Sequence, residues 1–187
     1  MTLFNAPAPA PWRTTSSEVL VSDRWIRLRS DDCVDGQGRT IAPFYVLEYG
    51  DWVSVLAIDT SGAAIVVEEY RHGAGIVAFG TIGGGADPGE SPQDAAAREL
   101  REETGFEAAE MISLGSTWAN FGTHTNRVHH FLARDCVRVA EQSLDDTESI
   151  AVRLVPFDGA GALLSQSYHQ LTWFKAAAAL RDRAAIG

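Results

Sequence analysis

The sequence predicts an α/β or α+β fold with a mixed sheet and a small antiparallel sheet ahead of it. Three observations carry that prediction: alternating and β-branched runs before residue 50, a hairpin pattern between residues 52 and 70, and one sharply punctuated helix beginning near residue 92. The chain of 187 residues, 45% of them hydrophobic, suffices for one main globular core.

The Ala/Pro-rich opening is expected to be a flexible arm over residues 1–14. It lacks a basic stretch followed by an apolar core, so no secretory leader is expected there. Residues 15–50 contain Glu18-Val-Leu-Val, Trp25-Ile-Arg-Leu-Arg and Pro43-Phe-Tyr-Val-Leu-Glu, interrupted by the turn formers Asp35-Gly-Gln-Gly, and are expected to form a small antiparallel sheet. Residues 51–187 hold the larger domain. Within it Trp52-Val-Ser-Val-Leu-Ala-Ile and Ala63-Ala-Ile-Val-Val-Glu-Glu-Tyr flank Asp59-Thr-Ser-Gly, a hairpin pattern.

A glycine-rich loop, Gly80 to Gly89, leads into the helix, predicted over Pro92 to Thr104. Ser91 suits its N-cap, Pro92 its first turn, Asp94 the third position of a capping-box-like arrangement, and Gly105 the left-handed position past its end. Strands are expected around Met111 to Trp118, Arg127 to Ala133 and Ile150 to Pro156. A last helix near Tyr168 to Arg181 is expected to pack through Leu171, Phe174 and Leu180.

Lys and Arg total 15 against 25 Asp and Glu, a net charge of −10 that excludes binding to a nucleic acid polymer as the principal role. A polyanionic small molecule would need metal ions to bridge it to such a protein. Cys33 and Cys136 lie far apart in sequence, a spacing that suggests neither a zinc cluster nor a disulfide framework, and a reducing cytoplasm is the expected compartment. No apolar run approaches the roughly 20 residues that span a bilayer, so no membrane partner is expected.

At about 100° per residue, Glu99, Glu102 and Glu103 share one helix face with Ala95. Two of the three carboxylates stand in or beside the last turn, where the macrodipole disfavours negative charge and the acids repel one another. One explanation is a solvated acidic face with Arg98 and Arg101 as partners. The other is a bound divalent cation: Mg²⁺, with Mn²⁺ as substitute, takes carboxylate oxygens and keeps water or phosphate oxygens at its remaining positions.

The wider pattern decides between them. Gly84, Glu90, Arg98, Glu99, Leu100, Glu102, Glu103, Gly105 and Phe106 stand in the spacing Gly-x5-Glu-x7-Arg-Glu-Leu-x-Glu-Glu-x-Gly-Phe. This resembles the Nudix signature at every fixed position, and the resemblance implies a Nudix-like α/β/α sandwich. It also implies that Glu99, Glu102 and Glu103, with the backbone carbonyl of Gly83, are metal ligands. Glu102 then takes part directly in catalysis, Arg98 orients the cluster, and Gly84, Glu90 and Gly105 support it. In this family a carboxylate outside the helix often serves as base, which directs attention to Asp145-Asp-Thr-Glu148, with Glu148 first and Asp146 second. An acidic surface turn is the competing explanation of that stretch.

The preceding small sheet, Asp51-Trp-Val and Glu69-Tyr-Arg-His72 resemble the branch of ADP-ribose and sugar-nucleotide pyrophosphatases. That branch implies a homodimer formed through residues 15–50, and hydrolysis of ADP-ribose or another sugar nucleotide. It implies further that Arg71 binds diphosphate, that Trp25 stacks on the base, and that Phe121 and His124 lie in a substrate loop, Asn120-Phe-Gly-Thr-His124. Ordinary packing for Trp25, a surface ion pair for Arg71 and a solvated ring for His124 are the structural alternatives. Gly80-Thr-Ile82 stands where ADP-ribose pyrophosphatases carry Glu-x-Pro, and Phe121 or Gly122 where they carry a later proline. A GDP-sugar or a dinucleotide therefore stays open as substrate. The rival class is a non-catalytic nucleotide-binding module, which usually loses the signature carboxylates that this chain retains at Glu99, Glu102 and Glu103.

Overall fold

The computed structural model describes residues 8–184. Its strands are β1 (Arg13–Ser22), β2 (Arg27–Val34), β3 (Thr40–Leu47), β4 (Trp52–Asp59), β5 (Ala63–Arg71) and β6 (Ile76–Gly80). Helix α1 (Pro92–Thr104) follows, then β7 (Phe106–Glu107), β8 (Glu110–Trp118), β9 (Arg127–Arg138) and β10 (Ile150–Pro156). Helices α2 (Phe157–Leu163) and α3 (Ser167–Ala184) close the chain.

The described residues divide into two compact units, one running up to Tyr49 together with Asn120–Asn126, the other Gly50–Ala119 together with the residues from Arg127 onward. In the first, β1, β2 and β3 form an antiparallel sheet in that order. Strand β1 starts at Arg13, inside the stretch 1–14 expected to be an arm, because Thr14 continues the β-branched pattern and pairs with Cys33. Residues 1–7 of that arm lie outside the described residues. Trp12 is held edge-on to Phe44 at 5.6 Å between centroids. The loop Asn120–Asn126 joins this unit through Leu47 N to Thr123 O, 2.8 Å, and Thr125 N to Leu47 O, 3.1 Å.

The second unit carries a seven-stranded mixed sheet with the path β10-β5-β4-β9-β7; β6 pairs with β5 and β8 with β9. Strands β4 and β9 run parallel, and the other pairs are antiparallel. The two faces of β4 serve different layers. Val53, Val55 and Ala57 join Ile65, Val67 and Phe131 in the core under Ala95, Ala96 and Leu100 of α1. Leu56 packs with Leu132 and Ala176 beneath α3. The expected α/β/α layering is present.

Three departures have physical causes. Strand β6 falls just before the expected glycine loop, in a stretch for which no strand was expected, because Val77, Ala78 and Phe79 pair with Tyr70, Glu69 and Glu68 despite flanking glycines. Helix α2 contains Gly159 and Gly161, yet it forms: Trp173 Nε1 donates to Phe157 O at 3.1 Å, and a Cβ at Gly161 would lie 2.7 Å from the Trp173 ring. Tertiary packing overrides low propensity here. In α3, Phe174 is exposed rather than packed, and Trp173 and Ala176 contribute to the core beside Leu180. Among the described residues no helix is long and apolar enough to cross a membrane, and Cys33 and Cys136 are both buried free thiols.

Candidate active site

Helix α1 is fixed at both ends by its own sequence. Asp94 N donates to Ser91 Oγ at 3.1 Å, Ser91 Oγ donates to Asp94 Oδ2 at 2.7 Å, and Gly105 adopts φ 75°, with its N–H on Arg101 O. A Cβ on Gly105 would lie 2.1 Å from Ala140 O, so the position is sterically closed as well. Leu100, 1% exposed, seats the helix on β4. The opposite edge carries the acids.

Arg98 gathers that edge. Its Nε and Nη2 each donate to Glu90 at 3.0 Å, Nη1 donates to Glu99 and Glu102 at 2.9 Å, and Nη2 reaches Gly85 O at 3.0 Å. Hydrogen bonding to Glu90, then to Glu102, raises the guanidinium pKa. Glu90 also accepts from Asp87 N at 3.0 Å, which ties the loop to the helix.

Glu103 is 5% exposed and accepts from Gly83 N at 3.2 Å. Burial pushes its pKa up to about 9, and Glu99, Glu69 and Glu148 add to the rise against the Gly83 amide. Glu99 is raised by burial and, more weakly, by Glu102 and Glu148, with Arg98 opposing. Glu69, half-buried and ion-paired to Arg71, is raised by burial and by Glu148. Three carboxylates are thus poorly hydrated, and Glu148 acts on each of them.

The glycine loop is shaped around them. Gly83 has φ 154°, and a Cβ there would lie 2.1 Å from Val53 O; a Cβ on Gly84 would lie 2.4 Å from Glu99 Oε1. The carbonyls of Ile82 and Gly84 accept from Val55 and Val53, which leaves the Gly83 carbonyl outside that ladder. Beside the loop is a cavity of about 280 Å³, lined by Trp52, Val53, Arg71, Gly83 to Gly85, Tyr168 and His169.

Each expected site residue has a definite place. Glu99, Glu102, Glu103, Gly83, Gly84, Glu90, Arg98 and Gly105 converge on α1 and its loop. Glu148 is exposed, accepts from Asp145 N at 3.1 Å, and acts electrostatically on Glu69, Glu99 and Glu103. Asp146 is exposed on the same turn. Arg71 lines the cavity. Trp25, Phe121 and His124 belong to the first unit: Trp25 is 65% exposed with Arg24 over its ring at 4.3 Å, Phe121 is 86% exposed, and His124 lies 5.4 Å from Tyr49 between centroids.

Three further residues belong to the picture. Glu69 shares a strand face with Ile65 and Val67, so period-two alternation marks it as inward-facing. Tyr168 and His169 carry no local signal, since only the return of α3 over β4 brings them to the cavity. Among the described residues no three acids, histidines or cysteines already close around one point. Glu99 and Glu102 turn instead to Arg98. The donor set still fits a hard divalent ion: crowded carboxylates, one of them pushed strongly towards protonation by burial and its neighbours, are what such an ion stabilises.

A carboxylate-bearing helix behind a close-packed glycine loop, set on a mixed sheet beside an anion-sized cleft, defines a class of domain that handles phosphates through acids. Residues 48–176 match the NUDIX domain and residues 12–47 the nucleoside diphosphate sugar hydrolase N-terminal domain. The chain belongs to the NUDIX domain family and is a Nudix hydrolase, as the resemblance over residues 84–106 implied.

Its relatives include the ADP-ribose pyrophosphatase of Bacillus subtilis, 28% identical over 79% of this chain and 80% of that protein. The ADP-ribose pyrophosphatase of Mycobacterium tuberculosis is 37% identical over 57% of this chain, which spans only 48% of that relative's length. A crystal structure of an ADP compounds hydrolase superposes with a TM-score of 0.83 at 20% identity, covering 95% of this chain and 98% of that one, and shows the shared fold.

Proposed function

We propose that the chain hydrolyses the diphosphate linkage of ADP-ribose or a closely related nucleoside diphosphate sugar, with Mg²⁺, releasing two monophosphates. The observation that carries this reading is the crowding of Glu69, Glu99, Glu103 and Glu148, which Arg98, Arg71 and the Gly83 amide offset in part. The relatives named for ADP-ribose support the substrate class.

Glu99, Glu102 and Glu103, with the Gly83 carbonyl, would hold the cation. When bound, it supplies charge neutralisation at the attacked phosphorus and a more acidic water. Arg98 holds Glu99 and Glu102 by hydrogen bonds to each, and Glu90 anchors Arg98. Arg71 neutralises the diphosphate across the cavity floor. Glu148, with Asp146 second, accepts the proton of the attacking water as its oxygen bonds to phosphorus and the bridging oxygen departs with the leaving phosphate. In the first unit Trp25, Phe121 and His124 are assigned to nucleoside recognition.

The chain is proposed to act as a homodimer through the N-terminal sheet, where Val19, Leu20 and Val21 stand 42–46% exposed on β1. A cytoplasmic setting agrees with two buried free thiols. The test is a panel of nucleoside diphosphate derivatives with the purified chain in Mg²⁺, Mn²⁺ or EDTA. Turnover of ADP-ribose to AMP and ribose 5-phosphate that EDTA abolishes is expected; no turnover of any member with either metal refutes the reading.

A further inference from the structure

A second cavity, of about 300 Å³, adjoins the first and shares Arg71, Tyr168 and His169 with it. Its polar lining comes from the β5–β6 turn and the approach to α3: His72, Ser165 and Gln166, with Tyr168 and His169. The groove therefore runs from the glycine loop, past Arg71, into a hydrogen-bonding cleft without a carboxylate in its lining. Each cavity is at the low end of the ~300–1,000 Å³ common for ligand sites, so each accommodates a fragment of a nucleotide rather than all of it.

His169 is the unusual member. It is 5% exposed, and its Nδ1 is buried without a hydrogen-bond partner. The ring lies on Gly80, where a Cβ would stand 2.9 Å from Cε1 and 3.2 Å from Nδ1. His130, by contrast, is buried with both nitrogens bonded, to Thr172 at 2.7 Å and Thr117 at 2.9 Å. Burial pushes the His169 pKa down to about 3, so the ring is neutral and carries one N–H and one bare nitrogen. A buried N–H without an acceptor costs more than a bare lone pair in the same place, and such orphans are rare. The proton therefore belongs on Nε2, and the ring offers the cleft a fixed neutral donor. Tyr168 adds a hydroxyl kept protonated by burial.

These groups suit hydroxyls better than a base. The Tyr168 ring meets His169 edge-on at 4.5 Å and Trp52 at 6.1 Å, so it presents no open slot for stacking. Arg71 is the arginine at the junction, and beyond it the lining offers hydroxyl, amide and imidazole groups. A ligand matching that order carries phosphate first and hydroxyls next.

We propose that this cleft is the sugar subsite: it takes the polyhydroxylated ring on the distal phosphate of a nucleoside diphosphate sugar, with Tyr168 and His169 as its specificity-determining residues. The proposal rests on the diphosphatase reading above.

The test compares the full chain with Tyr168→Phe and His169→Leu, both checked for an unchanged melting temperature, on ADP-ribose and on ADP β-methyl ester, which keeps the diphosphate and lacks the sugar. Titration calorimetry with ribose 5-phosphate and with AMP runs beside the kinetics. The ratio of kcat/KM for ADP-ribose over the methyl ester is expected to fall about tenfold in each variant, the loss of one hydrogen bond, while His169→Gln, which retains a neutral donor, recovers part of it. Ribose 5-phosphate affinity falls with the ratio. An unchanged ratio with unchanged ribose 5-phosphate binding overturns the subsite and leaves the diphosphatase reading standing. Loss of AMP binding instead assigns the cleft to the nucleoside and also overturns it. If the wild-type chain cleaves neither compound, the diphosphatase reading fails and the ribose 5-phosphate titration decides the subsite alone.

Discussion

The two faces of β4 bury polar groups in opposite ways. Towards α3, Ser54 Oγ lies 2.7 Å from both Thr81 Oγ1 and Thr172 Oγ1, and Thr172 meets His130 Nδ1 at 2.7 Å and Tyr168 O at 2.8 Å. His130 Nε2 completes the chain at Thr117, 2.9 Å. Every member of that seam has a partner within the protein. Towards α1, burial raises the proton affinity of Glu69, Glu99 and Glu103, neighbouring carboxylates including Glu148 add to the rise, and two arginines do not balance it. Buried polarity that is satisfied holds a fold together, whereas buried charge left uncompensated by the chain awaits something from outside.

The sharpest way to break that contrast is Glu103→Gln. It keeps the shape of the side chain and removes the charge that burial most disfavours. Activity is expected to fall at least about 100-fold, since a metal ligand should matter no less than the outer-shell groups whose loss already costs ~10–100-fold. The melting temperature of the metal-free variant is expected to equal or exceed wild type, because a repulsive neighbour of Glu99 is gone. Near-wild-type rates, or a clear loss of metal-free stability, would place Glu103 among the ordinary structural acids.

The same contrast explains what could be read from the sequence. Helix α1 and its carboxylates were legible to the residue because Ser91, Pro92, Asp94 and Gly105 act within a few positions of where they stand. Glu69 was legible in principle, through its alternation with Ile65 and Val67, but the run Glu68-Glu69 reads as the polar end of a strand. Strand β6 was hidden by its glycines and α2 by Gly159 and Gly161, whose low propensity is overcome only by contacts with β5 and Trp173. Phe174 is apolar and in a helix, yet neither fact says which way the helix turns; the docking of Trp173 on Phe157 does. Tyr168 and His169 were illegible for the same reason, since their surroundings are assembled from β4, β5 and the loop after β6. The seam had no motif to announce it.

On the seam's side, acid is the lever. His130 is pushed from 6.5 down to about 4, by burial first and then by Lys175 and His129. The unfolded chain therefore binds this proton before the folded one does. Stability from the neutral ring is complete above pH 6.5 and is lost as pH falls towards 4, by an amount on the order of 3 kcal/mol. His169 contributes in the same direction, from the same onset at pH 6.5 and on towards about 3. Glu103, raised to about 9, changes stability in the opposite sense. The decline is therefore read as the difference between wild type and His130→Asn in thermal unfolding from pH 7 to pH 4, which is expected to shrink as pH falls. A difference that stays constant across that window would mean the seam admits the proton without opening.

The smallest expected effect belongs to Ser54→Ala, and it separates the two faces most cleanly. Ser54 bridges Thr81 and Thr172, but Thr172 keeps its bonds to His130 and to the Tyr168 carbonyl when the bridge is removed. Thr81 alone is left short of a partner, at a cost of about 1 kcal/mol, the net worth of one buried hydrogen bond. Val53 and Val55, on either side of the substitution, point to the opposite layer and keep α1 in place. Denaturant unfolding should therefore report the small loss with an unchanged slope, while hydrolysis of ADP-ribose stays within about twofold of wild type. A larger fall in kcat would show that the seam reaches through β4 to the carboxylates, and that the satisfied face also positions the reactive one.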